Sequence, residues 1–286
     1  MLGERVGSAN WDSSDEEGLG AEFDLERPNA ARMYDYWLGG AANLAVDREL
    51  AEKMIAIDPA VVDIARANRS FLRRAVRFCV ANGIRQFLDL GSGIPTVGNV
   101  HEVAQRADPA CRVAYVDIEA IAVAHSRQLL RHNPLATATH ADLRDTDAVL
   151  SAPTVTELLD FDQPVALLAL MVLQYFPGNP GDILARYRAR LAPGSFLVVS
   201  HLTNEEREID MAGLAKATST ASTRAHLRSR AEFGMLLGDA QPVDPGIVGT
   251  PDWRPDDPHE QHAGSHAGCY VAVAHSRQLL RHNPLA

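Results

Sequence analysis

Phe87-Leu88-Asp89-Leu90-Gly91-Ser92-Gly93-Ile94-Pro95-Thr96 is the stretch on which the reading of this chain turns. A short apolar strand runs into an acid and a Gly-x-Gly turn, and the residues from Val97 to Ala104 are expected to continue as a helix. Such a strand–turn–helix lets backbone approach a ligand where a side chain would collide. It also aims unpaired helix N–H groups at the ligand's polar end. A second strand, Arg112-Val113-Ala114-Tyr115-Val116-Asp117, ends in a carboxylate. Dinucleotide and nucleoside sites use an acid at that place to hold ribose hydroxyls.

Outward from this turn the chain alternates. Strands are expected at 86–90, 112–117, 136–140, 164–171 and 195–201, with helices near 97–107, 119–132, 144–159 and 180–192. Pro164 to Met171 is almost continuously apolar, as a central parallel strand buried on both faces should be. The alternation predicts a doubly wound parallel sheet. Residues 204–238 read as a helical insertion, and Pro242 to Val248 with Gly268 to Val273 read as two closing strands that form an antiparallel hairpin at one edge. The expected architecture is α/β, a mostly parallel seven-stranded sheet of the Rossmann-like class I methyltransferase type.

Ahead of the first strand lie three helical segments. Ala30, Met33, Tyr34 and Trp37 fall at i, i+3, i+4, i+7 within Asn29–Leu38, and Gly39-Gly40 stops them. Val46 to Ile57 and Pro59 to Ala81 follow, the latter with Arg66, Arg69, Arg73 and Arg77 at helical spacing. Residues 1–26, rich in Gly, Ser, Asp and Glu, are expected to be a disordered acidic tail. The expected domains are a helical lid over 27–82 and a ligand-binding domain over 83–274, followed by a tail over 275–286.

A net charge of −10 argues against a partner bound through phosphate neutralisation. Cys79, Cys111 and Cys269 have no paired or metal-like spacing, which fits a reducing, cytoplasmic setting. No apolar run approaches the ~18 residues a membrane span needs. His259, His262 and His266 have loose metal-like spacing but no cysteine or helix beside them, so no metal is expected. One oddity is Ala122 to Ala136, which recurs unchanged as Ala272 to Ala286. Two identical copies without drift point to a duplication rather than a structural array, and Ser276–Ala286 is expected to be peripheral.

The turn carries Thr96 where a dinucleotide fingerprint has its third glycine. The acid-x-Gly-x-Gly form, with Asp89, Gly91, Ser92 and Gly93, suits an adenosyl cofactor without pyrophosphate, and S-adenosylmethionine is one. Asp117 is then the ribose acceptor. Asp142, with the neighbouring Leu143, follows the third strand where an adenine contact belongs. Leu173-Gln174-Tyr175-Phe176-Pro177 follows the fourth, at the expected transfer site, with Gln174 assigned to the cofactor and Tyr175 to catalysis. These pieces sit at the C-terminal ends of successive strands, where an open sheet binds its ligand.

These residues resemble a bacterial S-adenosyl methyltransferase family long catalogued as a domain of unknown function. The resemblance runs through Arg27-Pro28-Asn29-Ala30-Ala31-Arg32-Met33-Tyr34-Asp35-Tyr36-Trp37-Leu38-Gly39-Gly40, Ala67 to Arg77, Gln86 to Glu102 and Tyr115-Val116-Asp117. It extends to Leu227-Arg228-Ser229-Arg230-Ala231-Glu232 and Trp253-Arg254-Pro255. It implies a Rossmann-like fold that binds S-adenosylmethionine, with the methyl acceptor unidentified; a pocket closed by a helical lid and an acidic surface favour a small-molecule acceptor. The chain departs from the family pattern at Ala41-Ala42, where Lys-Asp is usual, and at Ile118-Glu119-Ala120, where Asn-Asp-Pro is usual. Ile118 is kept as a cofactor neighbour. Candidates near the strand tips are His201 as a general base, Tyr34 facing the cofactor carboxylate or the acceptor, and Tyr36 toward the cofactor. Arg32 and Asp35 are expected to anchor the lid. Two rival readings are a non-catalytic binder or regulator that uses the same cofactor, and a nicotinamide-dependent oxidoreductase.

Overall fold

The computed structural model describes residues 24–96, 98–205, 210–221, 224–256 and 268–276. In chain order the helices are α1 (Ala30–Trp37), α2 (Ala45–Ile57), α3 (Val61–Ala81), α4 (Val100–Ala107), α5 (Ala120–Leu130), α6 (Thr146–Ser151), α7 (Pro153–Thr156), α8 (Gly181–Arg188), α9 (Met211–Ala217) and α10 (Arg230–Leu237). The strands are β1 (Gln86–Leu90), β2 (Arg112–Asp117), β3 (Ala136–His140), β4 (Ala166–Leu170), β5 (Phe196–Leu202), β6 (Gln241–Pro242), β7 (Val248–Gly249) and β8 (Cys269–His275).

The sheet order is β3-β2-β1-β4-β5-β8-β6, with β7 also paired to β8. Strands β1 to β5 are parallel, and β8 alone runs against β5. Order reverses between β1 and β4, which opens a crevice beyond their C-terminal ends. Alternate strand residues feed two cores. Phe87, Val113, Leu168, Val198 and Val273 face one layer with Phe71 and Trp253. Leu88, Ala114, Leu167, Val199 and Ala272 face the other with Tyr187 and Phe233. A smaller cluster of Met33, Leu50 and Ala51 joins α1 to α2.

Several expected boundaries shift for local reasons. The strand expected over 242–248 is two short ladders, because Pro242 and the turn at Gly246 (φ +88°) interrupt pairing with β8. The helix expected over 144–159 splits at Pro153 into α6 and α7. In the insertion expected to be helical, α9 and α10 are separated by non-helical residues 224–229, among the described residues. Arg74 does not share the exposed arginine face: its Nε donates to the Trp253 carbonyl at 2.8 Å and its Nη2 to Thr250 at 2.5 Å. Trp253 packs edge-on against Phe71 and Phe78.

The segment Ala-Val-Ala-His is helical in α5 and extended in β8. The second copy lies between β5 and the outer edge, where ladder partners override propensity. Ser276 is buried and its N–H donates to Ser195 at 2.9 Å; residues 277–286 lie outside the described residues, as do 1–23 and the His259, His262 and His266 loop.

The N-terminal block is held by buried carboxylates. Asn29 caps α1 by accepting from Ala31 N at 2.8 Å. Asp47 accepts from Asn29 N (2.9 Å), Arg32 Nε (2.6 Å) and Leu44 N (2.8 Å). Asp35 accepts from Ala42 N (2.9 Å) and Asn43 Nδ2 (2.8 Å). A Cβ on Gly40 would stand 1.9 Å from Asp35 Oδ1, so the second glycine is needed to seat that carboxylate. At the Ala41-Ala42 departure Ala41 is exposed, and Ala42 contributes its backbone N–H.

Candidate active site

The glycine turn is shaped by what crosses it. Gly91 has φ +69°, and a Cβ there would meet Val172 Cγ2 at 2.2 Å. Gly91 N and Ser92 N donate to the Val116 carbonyl at 2.8 and 3.2 Å, which ties the turn to β2. Gly93 (φ +65°) donates its N–H to Asp117 Oδ2 at 2.6 Å, and a Cβ there would lie 3.9 Å from Ala31 Cβ of α1. Asp117 Oδ1 accepts from Glu119 N at 2.8 Å. Burial pushes the Asp117 carboxyl above its ordinary range, against these backbone donors.

Asp89 is buried at the end of β1, and burial pushes its carboxyl up to about 7; Arg69 opposes the shift and Asp117 adds to it. Arg69 of α3 reaches down to the turn, its Nη2 donating to Thr96 Oγ1 at 2.7 Å. Thr96, the position that departs from the dinucleotide fingerprint, therefore has a partner of its own. Glu102 Oε2 accepts from Gly98 N (2.8 Å) and Asn99 N (3.0 Å), which fixes the start of α4. Tyr115 OH accepts from His101 N at 2.9 Å and pairs with His101 Nδ1 at 2.8 Å behind the turn.

Beyond β4, Met171 takes φ +54°. Its N–H donates to Ser200 Oγ at 3.0 Å and its carbonyl accepts from Gln174 Nε2 at 2.6 Å. This bend delivers Val172 to Gly91 and Leu173-Gln174-Tyr175 to the crevice. Backbone strain of this kind persists where the surroundings over-determine it. Arg228 braces the loop by donating to the carbonyls of Leu173 (3.3 Å), Phe176 (2.8 Å) and Gly178 (2.6 Å).

Tyr34 of α1 and Tyr175 beyond β4 are two of the phenols expected near the strand tips. Tyr34 OH donates to the Ala65 carbonyl at 3.1 Å and accepts from Asn68 Nδ2 at 2.9 Å. Burial pushes both phenols up to about 12, and Tyr34 feels the charge of Arg69 and the proximity of Tyr175 and Cys269. Both stay protonated at neutral pH.

The remaining expected residues have surroundings of their own. Tyr36 faces α2, its hydroxyl bonded to Glu52. Asp142, past β3, is bound by Arg144, whose N and Nε donate at 2.8 Å and whose charge holds the carboxyl below its ordinary range. Leu143 is buried and its carbonyl accepts from Tyr187 OH at 2.8 Å. Ile118 is 56% exposed, an unusual state for a large apolar side chain at a strand end. His201 is fully buried: Nδ1–H donates to the Leu202 carbonyl at 2.7 Å and Nε2 faces Arg228. Burial lowers it to about 4, so it is neutral.

The sequence model of a family described as S-adenosyl methyltransferase matches residues 16–277. The chain belongs to this family. A DUF574 family protein from Streptomyces avermitilis MA-4680 is 33% identical, with a TM-score of 0.84 over 89% of this chain and 99% of that one. A candidate methyltransferase from Thermobifida fusca YX is 36% identical, with a TM-score of 0.82 over 89% of this chain and 97% of the other. No curated protein matches the sequence. The chain is thus an S-adenosylmethionine-dependent methyltransferase with a Rossmann-like sheet, and the oxidoreductase reading falls away.

The residues present fit this cofactor. Gly91 lets the turn close against Val172 of the loop beyond β4, and Gly93 places its N–H on Asp117 at the end of β2. Asn68 Oδ1, Arg69 Nε and Gln174 Oε1 are buried without a hydrogen-bond partner. Arg69, which lines the cleft with Asp89, Ser92 and Gly93, thus carries an unsatisfied buried donor there, as a site built for a polar ligand does. Sequence reasoning missed Arg69, Val172 and Arg228. Arg69 was hidden within an arginine stripe that reads as a solvated helix face.

Proposed function

We propose that this methyltransferase acts on a small-molecule acceptor, which enters between the strand tips and a lid formed by residues 27–82. The observation that carries this reading is the placement of α1 against the glycine turn, where a Cβ on Gly93 would lie 3.9 Å from Ala31 Cβ. With α1 standing against the turn at the strand tips, an acceptor meets an enclosed pocket rather than an open face. The net charge of −10 disfavours a polyanionic acceptor.

Bound S-adenosylmethionine supplies a methyl group on an electrophilic sulfonium. In this reading Asp117 would accept from the ribose hydroxyls, and Gly91, Ser92 and Gly93 would hold the cofactor at the turn. Ile118 offers its exposed side chain to the adenine face, with Asp142 and Leu143 at the ring edge. Gln174 presents Oε1 toward the reacting centre. Tyr175, protonated, offers its O–H to the acceptor, while Tyr34, its O–H held by the Ala65 carbonyl, offers its ring. Alignment of nucleophile and methyl is the protein's main contribution. His201 is assigned to positioning: its Nε2 holds Arg228, which holds the 173–178 loop. Tyr36, bound to Glu52, fixes α1 on α2.

Among the described residues no helix is long and apolar enough to cross a membrane. The three cysteines are free and buried, which supports a cytoplasmic setting.

Methyl transfer from radiolabelled S-adenosylmethionine to pools of phenols, amines and carboxylic acids, compared with tRNA and bulk protein, tests the reading. Label entering small-molecule pools is expected. Label entering only RNA or protein would refute it.

A further inference from the structure

The glycine turn, Asp117 and Ile118 account for the adenosyl half of the cofactor. The other half is an α-amino acid, a carboxylate beside an ammonium. A site for it needs a cationic donor and a neutral or anionic acceptor side by side in a desolvated place.

Such a pair sits on α3. Arg69 lines the same cleft as Asp89, Ser92 and Gly93. Its Nη2 is committed to Thr96 (2.7 Å) and, more weakly, to Asn99 (3.4 Å), while its Nε–H is buried with no partner. The next residue back, Asn68, is 3% exposed. Its Nδ2 donates to Tyr34 OH, which leaves Oδ1 buried and unpartnered. One orphan is a charged donor and the other an acceptor. Asn68 is bonded to the Tyr34 hydroxyl, and the charge of the adjacent Arg69 acts on the same phenol. Leaving either atom unpaired in a folded core is costly, and a ligand that satisfies both recovers that cost.

We propose that Asn68 and Arg69 form the subsite for the amino-acid end of S-adenosylmethionine, Arg69 binding the carboxylate and Asn68 Oδ1 the ammonium. This rests on the methyltransferase reading and adds a residue-level cause for cofactor choice. The Thr96 hydroxyl has a part in it, since it holds Nη2 and so aims the guanidinium edge at the crevice. The same contacts admit a purely structural account, in which Arg69 only ties the turn to α3.

Titration calorimetry on the full chain separates the two accounts. The probes are S-adenosylhomocysteine, its decarboxylated analogue and 5′-methylthioadenosine, which lacks the whole amino-acid end. Arg69→Met is expected to weaken S-adenosylhomocysteine about 10- to 100-fold, the loss of a charge-assisted contact, and to leave 5′-methylthioadenosine unchanged. Arg69→Lys should fall between wild type and Arg69→Met. Asn68→Ala should weaken the decarboxylated analogue, which keeps the ammonium, and not 5′-methylthioadenosine. Equal losses for all probes in Arg69→Met, or no loss for S-adenosylhomocysteine, would overturn the proposal. Wild-type protein that binds neither S-adenosylhomocysteine nor 5′-methylthioadenosine would overturn the methyltransferase reading and the proposal with it.

Discussion

Gly91 and Val172 share one space: a Cβ on the glycine would stand 2.2 Å from Val172 Cγ2. The contact closes β1's turn against the bend beyond β4, so the adenosyl turn and the transfer loop are placed by the same pair of residues.

Gly91→Ala should therefore be damaging twice over. The left-handed φ costs about 1–2 kcal/mol for any side chain, and the clash adds overpacking of about 1–3 kcal/mol. Gly39 is the control, with φ +79° and nothing within 4 Å of a Cβ. Gly39→Ala should cost only the about 1–2 kcal/mol of backbone strain. Denaturant melts should rank the variants in that order, and Gly91→Ala should also lose cofactor binding.

Asp89 gives the cofactor affinity a pH dependence. Burial raises its carboxyl to about 7, so it is largely protonated below that pH and charged above it. A cationic sulfonium favours the charged form, so affinity for S-adenosylmethionine should rise from pH 6 to pH 8, and Asp89→Asn should flatten that rise. Stability without cofactor moves the other way. With a folded value raised above the ordinary 3.8, the native state holds the proton longer than the unfolded chain. Stability then falls as pH climbs from about 4 to about 7, and Asp89→Asn should lack this fall in pH-dependent melts.

His201 is expected to act on stability rather than on proton transfer. Its folded value, lowered to about 4 by burial, lies below the ordinary 6.5. The unfolded chain thus takes up a proton first, and this contribution, whole above 6.5, is lost as pH falls toward 4. His201→Gln should shrink that acid-side loss and cost about 1–2 kcal/mol at pH 7 through a weakened hold on Arg228. Activity should retain its pH profile in shape. Disappearance of a limb in the variant would identify His201 as a base.

The sheet was legible in the sequence because β1, β2, β4 and β5 are almost wholly buried and read as largely apolar runs, while β3, at the edge, followed from the alternation. Asp89, Gly91, Gly93 and Asp117 were legible because turn chemistry and strand ends are local. Arg69, Val172 and Arg228 were not. Each acts across the crevice on a segment distant in the chain, and nothing in residue spacing says which arginine of a helical stripe turns inward. Arg74 shows the same: it is buried against Trp253 while Arg73 and Arg77 remain exposed. His201 misled in the opposite direction. A histidine at a strand tip looks available, but its Nδ1 is bound to the adjacent Leu202 carbonyl and Arg228 takes its Nε2.

The claim on which the rest depends is that the crevice between Asp89 and Asp117 holds the cofactor. Calorimetric titration of wild type and Asp117→Ala with S-adenosylhomocysteine tests it most directly. The account predicts saturable binding by the wild type and a loss of about 1–3 kcal/mol in the variant, from the ribose hydrogen bonds of a buried carboxylate. An affinity unchanged in Asp117→Ala would contradict it.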